Sequence, residues 1–397
     1  MSSAMRAQPP ATRIVYLNHA AGSIPAPSVG ETLRACTAEL LKRGTADPAL
    51  FHAWHGRLTS VRSAVASLVH ASGSAEIALT ASGTDAINRL ARSIPWKSGE
   101  NVVLPDNEFV SNLYPWLRLE DRGVSVRRVR TFPDGRVDLR ELEKSADSKT
   151  RLITVSHLPN SIGTLQPIDA ISEIAARHNT WFHLNACPTI GQIPVDVSQP
   201  NCTFLSGCAR KYLRGPSTGG FLYVQEDVLP SLRPPDLGWS TGCWNVESES
   251  FDVWEDARKL HGGNPLLPDW LALESAVFYI KTQGGIKPLF EKTRTLAEHV
   301  FRELRDRAYT VVYGPSGSRD RSALVTFGVK GVSATSVAQA LRDRDIVVEA
   351  GHFLCPIPLI KNNAKDAVRI SVHYTNTIDE LDHTLATLDE LHARLPG

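Results

Sequence analysis

FLSGCARKYLRGPSTGGFLYV, residues 204–224, sets one lysine, Lys211, between two apolar runs. A small polar segment precedes it. A Gly-Pro-Ser-Thr-Gly-Gly turn follows and leads into the strand-like run GGFLYV. A lysine needed only for solubility has no use for such neighbours. A lysine that forms a Schiff base does, because it must be held rigidly, partly desolvated, beside an anion site.

Working outward, residues 76–225 alternate short apolar runs with amphipathic stretches. EIALT, NVVLP, VSVRRV, RLITVSH and WFHLN read as strands, and INRLARSI and IDAISEIAARH as helices between them. That rhythm predicts βαβ units around a mostly parallel sheet. Residues 230–265 carry Pro, Gly and Trp with little periodicity and read as an irregular crossover. From about residue 266 the texture changes. A long helix over DWLALESAVFYIKTQ is followed by strands near 309–313 and 323–329, a helix in SATSVAQALRDR, and strands IVVEA and VRISV. Thr377 and Glu380 form a Thr-x-x-Glu capping signature for the last helix. Its apolar stripe is Ile378, Leu381, Leu385, Leu388, Leu391 and Leu395.

Composition narrows the partners. The 397 residues hold 43 basic and 42 acidic side chains for a net charge of +1, so neither nucleic acid nor an anionic membrane is implied. No apolar run is long enough to span a bilayer, and the start, MSSAMRAQPPATR, reads as a loose polar tail. The six cysteines lack metal-type spacing and suggest reduced cytoplasmic thiols.

The lysine segment resembles that of the class V aminotransferase superfamily, whose members depend on pyridoxal 5′-phosphate (PLP). The RKYLRGP wording is similar to the ergothioneine-lyase and isopenicillin-N-epimerase branch. The resemblance runs from Tyr16 to about Leu395, with the motifs in family order. It implies the α/β fold-type-I PLP architecture, with a mostly parallel mixed sheet in a large domain over 31–265. A smaller α+β domain spans 266–397, and residues 1–30 return to join it. It also implies a homodimer with the active site at the interface.

LTASGTDAINRLA, residues 79–91, places Ser82, Gly83 and Thr84 where a loop becomes a helix. Free N–H groups and the positive end of the dipole make that an anion site, with Ser82 and Asp85 positioned to cap it. The family sets a similar turn on the cofactor phosphate. Arg210 offers a guanidinium fork to the same group, and Asn264 in GGNPLLP stands where relatives carry a threonine on the partner-completed phosphate cup.

WFHLNACPTIGQIPVDV, residues 181–197, resembles the segment whose Asp pairs with the pyridine nitrogen. Here Asn185 stands there, 26 residues before Lys211, and Pro188 replaces the usual Gln or His. Asparagine can donate an N–H to the ring but supplies no charge, so a weaker electron sink is expected. Each unit of lost ring basicity corresponds to roughly 1.4 kcal/mol. Asn160 in SHLPNSIGT resembles the residue that bonds the phenolic oxygen. Phe109 in PDNEFVSNLYPW occupies the stacking position, where cysteine desulfurases carry His.

At the substrate end, DAVRISVHYTNTIDEL, residues 366–381, resembles the family motif in which an arginine, here Arg369, clamps the α-carboxylate. YLNHAAGSIPAP, residues 16–27, makes His19 a candidate wall residue. Cys355, 14 residues before Arg369, resembles the nucleophilic loop cysteine of the desulfurases. The resemblance thus implies a PLP enzyme acting on an amino acid. The expected substrate is a cysteine S-conjugate cleaved by C–S β-elimination in specialised biosynthesis, with Lys211 as Schiff-base lysine and proton carrier. Decarboxylating oxidative deamination, transamination or epimerisation, and desulfuration through Cys355 stay open, as does a degenerate PLP-fold binding protein.

Overall fold

The computed structural model describes residues 14–199, 202–261 and 265–394. Among them, seven strands form the large sheet: β1 (Ile77–Thr80), β2 (Asn101–Pro105), β3 (Ser125–Val129), β4 (Thr150–Ser156), β5 (Trp181–Asn185), β6 (Phe204–Cys208) and β7 (Gly220–Val224). Their order is β1-β7-β6-β5-β4-β2-β3, and β7 runs antiparallel to both neighbours while the other pairs are parallel. The central strands are buried on both faces, which is why they read as continuous apolar runs rather than alternating ones. Successive side chains serve opposite cores. Val102 and Leu104 pack with Ile87 and Leu90 of helix Gly83–Ser93, whereas Val103 joins Ile153, Val155, Leu184 and Leu205 on the other face.

Helix Leu267–Thr282 buries Trp270, Leu271, Leu273, Ala276, Val277 and Ile280 in that second core. It packs against helices Pro27–Arg43 and Leu58–Val69, and the Trp270 indole N–H reaches the Thr80 carbonyl at 3.1 Å. Helix Ile286–Asp306 is the first whose buried face (Leu296, Val300, Leu304) belongs with the small sheet.

That small sheet holds β8 (Thr310–Tyr313), β9 (Leu324–Val329), β10 (Glu349–Gly351) and β11 (Ala367–Ser371) in the order β8-β9-β11-β10, antiparallel throughout. The run IVVEA does not form one strand. Ile346–Val347 pairs in parallel with Val15–Tyr16, and Glu349–Gly351 turns to pair with β11. The break at Val348 comes from two different partners claiming the two halves. Leu17 is fully buried in the small core, and the Ser371 N–H donates to its carbonyl at 2.8 Å.

The last helix, Ile378–Arg394, starts with the expected reciprocal cap: the Glu380 N–H donates to Thr377 Oγ1 at 3.2 Å, and the Thr377 N–H to Glu380 Oε2 at 3.3 Å. Of its stripe, Leu381, Leu385 and Leu388 are buried, Ile378 is 39% exposed, and Leu395 lies outside the described residues. Residues 230–265, expected to be irregular, contain a β-hairpin, Gly242–Asn245 with Ser250–Val253. Its turn is organised by Asn245 Oδ1, which accepts from the N–H groups of Glu247 and Ser248.

Candidate active site

In a parallel sheet the strand carboxyl ends converge on one crevice. Ser156, Asn185 and Cys208 end β4, β5 and β6, and a recess opens above them. It is lined by Gly83, Thr84, Phe109, Asn160, Pro188, Arg210 and Lys211 together with these strand ends and Cys187. Sequence segments from 83 to 211 thus meet in one place.

The Gly83 turn is built by contact. Ser82 Oγ accepts the Asp85 N–H at 3.1 Å, so it caps helix Gly83–Ser93. The amides of Gly83 and Thr84 lie in the first turn, where the helix provides no carbonyl. Gly220 lets the turn sit directly on β7: a Cβ there would lie 2.5 Å from the Ser82 carbonyl carbon and 2.8 Å from the Gly83 nitrogen. Thr84 Oγ1 donates to Ser111 Oγ at 2.9 Å.

Lys211 is 7% exposed. Burial holds its ammonium below the ordinary lysine range, with the Cys208 and Cys187 thiols opposing that shift. Its Nζ lies 5.8 Å from the centroid of the Phe109 ring. The loop is tied down by two residues the sequence did not single out for this role. Arg214, at φ 55°, donates from Nε to the Ile24 carbonyl at 2.9 Å. Ser23 donates its N–H to the Arg210 carbonyl at 2.7 Å. The N-terminal segment therefore braces the lysine loop.

Beneath the recess runs a buried polar chain. Asn185 Nδ2 donates to Ser156 Oγ at 2.9 Å, and its Oδ1 accepts from Ser206 Oγ and the Cys187 N–H, both at 3.3 Å. A primary amide has two N–H hydrogens, so one remains beyond the Ser156 bond. Ser156 in turn donates from both N and Oγ, each at 2.5 Å, to the carboxylate of Glu108. Burial pushes the Glu108 carboxyl up to about 7, although the Ser156 hydrogen bonds pull the other way. His183 links Ser206 Oγ (3.1 Å) to Thr154 Oγ1 (2.7 Å), and burial drives its ring down to about 3. Glu108 lies next to Phe109 in a segment already singled out, but nothing local marks it as buried.

Arg369 is fully buried on β11. One terminal nitrogen donates to the Asn160 carbonyl at 2.6 Å, and the guanidinium lies 4.7 Å from the Phe353 ring centroid. Burial lowers it to about 10. Asn160 Nδ2 donates to the Phe353 carbonyl at 3.2 Å. His19 does not line the recess. Its Nε2–H meets the Tyr16 carbonyl at 3.0 Å, its Nδ1 pairs with Ser23 Oγ at 2.9 Å, and its ring stacks on His373 at 4.7 Å. Cys355 is buried and donates to the Asn107 carbonyl at 2.8 Å, and burial raises its thiol well above the ordinary range. Asn264 lies outside the described residues.

A family model described as aminotransferase class-V matches residues 15–384. A protein of Methanothermobacter thermautotrophicus described as a probable cysteine desulfurase is 31% identical over 340 residues, 84% of each chain. One of Synechocystis with the same description is 29% identical over 83% of this chain and 79% of its own. The apo cysteine desulfurase of Thermococcus onnurineus NA1 matches with a TM-score of 0.87 at 24% identity, covering 96% of this chain and 95% of its own. The cystine C–S lyase C-DES with cysteine persulfide gives 0.86 at 20% identity, covering 94% and 97%. At those identities the structural matches establish the fold.

The residues present suit PLP. The recess offers helix N–H groups and a guanidinium to a phosphate, a desolvated amine to an aldehyde and an aromatic face to a ring. Two buried polar atoms beside it, Arg369 Nε and Asn160 Oδ1, have no hydrogen-bond partner among the described residues.

Proposed function

This chain belongs to the class V aminotransferase family and is a PLP-dependent enzyme; we propose that it breaks the Cβ–S bond of cysteine or a close cysteine derivative. The observation that carries this reading is the 31% identity, over 84% of each chain, to a probable cysteine desulfurase. The recess supports it. When bound, PLP supplies an aldehyde for the substrate amine and a ring that withdraws electrons from Cα.

The chain's own residues then divide the work. The Gly83 and Thr84 amides, on the turn that Ser82 caps, and Arg210 would hold the phosphate. Phe109 would cover the ring, and Asn160 would bond its phenolic oxygen. Asn185 would give its remaining N–H to the ring nitrogen without adding charge. Lys211 would hold the cofactor through its aldehyde and is placed to move the Cα proton; its lowered proton affinity suits that exchange. Arg369 grips the α-carboxylate through the nitrogen that lacks a partner. His19, held by Tyr16 and Ser23, supports the wall from behind.

For desulfuration, the Cys355 thiolate would attack the substrate sulfur as the Cβ–S bond breaks, giving a persulfide on Cys355 and leaving the electron pair of the broken bond on the carbon skeleton, which takes up protons to become alanine. That requires the loop at 351–359 to release Cys355 from Asn107. A second reading, direct β-elimination, needs no acceptor thiol. It is favoured by the burial of Cys355 and by Phe109, which cannot carry a proton. A cytoplasmic homodimer belongs to the same proposal, as does a division into 31–265 and 266–397, with the N-terminal segment, 1–30, joining the smaller unit.

Mass spectrometry of products from cysteine and a panel of S-substituted cysteines tests the proposal. Alanine with a persulfide on Cys355 means desulfuration, and pyruvate with a thiol means elimination. Carbon dioxide with an aldehyde, or no sulfur-containing product at all, refutes C–S cleavage.

A further inference from the structure

Two thiols sit side by side on the floor of the recess. In parallel register Asn185 pairs with Ser206, and two residues further along each chain come Cys187 and Cys208. Their Cβ atoms both lie within 3.6 Å of one point, where a Cβ on Gly83 would stand, and Cys187 Sγ lies 2.0 Å from that point. Cys208 Sγ donates to the Cys187 carbonyl at 3.4 Å, and Cys187 Sγ approaches the Ser206 carbonyl at 3.9 Å. Both sulfurs line the same recess as Lys211, and Cys187 is only half-buried.

We propose that Cys187 and Cys208 form a peroxide-oxidisable dithiol in the floor of the recess, closing to a disulfide beneath Lys211. The Cys208 thiol is drawn down by a hydrogen bond from the Cys187 thiol to its sulfur and by the Lys211 and Arg210 cations. Its thiolate attacks one oxygen of hydrogen peroxide; the O–O bond breaks, hydroxide leaves and takes up a proton, and Cys208 becomes a sulfenic acid. The Cys187 sulfur then attacks that sulfur, the S–S bond forms and the sulfenic oxygen departs as water. Two thiols and one peroxide give one disulfide and two waters. Closure removes the thiolate that faces Lys211 and fixes the recess floor. A bound cofactor would cover both sulfurs and slow the reaction.

The disulfide itself does not depend on the proposed reaction; only its protection by PLP rests on the placement of the cofactor proposed above. The test treats the purified protein with hydrogen peroxide, with and without saturating PLP, followed by alkylation. Digestion with Asp-N and chymotrypsin then separates Cys187, Cys202 and Cys208 onto three peptides. The expected result is a Cys187–Cys208 cross-link, reversed by dithiothreitol, lost in both Cys187→Ser and Cys208→Ser, and formed several-fold more slowly with PLP. Single oxidation of either sulfur without the cross-link overturns the proposal. A cross-link whose rate PLP does not change keeps the dithiol and refutes the cofactor's place above it.

Discussion

Glu108→Gln tests the buried chain beneath the recess. The carboxyl is enclosed, titrates near 7 rather than 4.5, and accepts two 2.5 Å hydrogen bonds from Ser156. Between those two values the folded chain keeps a proton that the unfolded chain has released. Stability linked to this group is therefore fully present below about pH 4.5 and lost as pH rises through about 7. Each tenfold in proton affinity is worth about 1.4 kcal/mol, so the interval comes to roughly 3 kcal/mol. Glutamine removes the titration and leaves a pH-independent offset from its altered hydrogen bonding. Urea unfolding of both cofactor-free proteins, followed by tryptophan fluorescence from pH 4.5 to 8, reads the difference. Every other titrating group is common to both and cancels. The stability of the parent relative to Glu108→Gln should fall by roughly 3 kcal/mol across that range. A gap that stays constant from pH 4.5 to 8 refutes the assignment of Glu108 as a carboxyl held protonated by burial.

Other outcomes follow from the same geometry. Arg369→Ala removes a charge-assisted hydrogen bond worth about 1.5–3 kcal/mol, so kcat/KM should fall by roughly ten- to a hundredfold. Arg369→Lys should recover only part of it, and a substrate lacking the α-carboxylate should be handled equally by all three proteins. Gly83→Ala places a Cβ 2.0 Å from Cys187 Sγ; thermal unfolding should show a loss of about 1–3 kcal/mol, and adding Cys187→Ala should restore most of it. Buried His19, His183 and His261 are held near 3 and His157 near 4, while the unfolded chain takes up protons below about 6.5. Their contribution is present above pH 6.5 and lost as pH falls towards 4, so the melting temperature should drop steeply over that interval; a flat profile would contradict their burial as neutral rings.

What the sequence made legible is what local pattern encodes. The β2, β4, β5, β6 and β7 runs are doubly buried and contain little else, and the Ser82–Asp85 and Thr377–Glu380 caps are local hydrogen-bond geometries. Lys211 stands out because its turn and its strand are contiguous. Helix Pro27–Arg43 left no stripe to read, since it buries only Val29 and Cys36. Helix Leu267–Thr282 is apolar on several sides, so its pattern could not say which core it enters. Glu108 looks like any loop carboxylate, and its burial depends on Ser156, 48 residues away. The Cys187–Cys208 pair is likewise a product of strand register, invisible in spacing. His19 lies in the right segment but faces His373 rather than the recess, a choice made by packing between distant residues.

The attachment of PLP to one lysine can be read directly. The holoenzyme is reduced with borohydride, digested and sequenced by mass spectrometry. A phosphopyridoxyl group on Lys211, absent from Lys211→Ala, is the predicted result. A label on another lysine, or PLP released intact from reduced parent protein, would contradict the account.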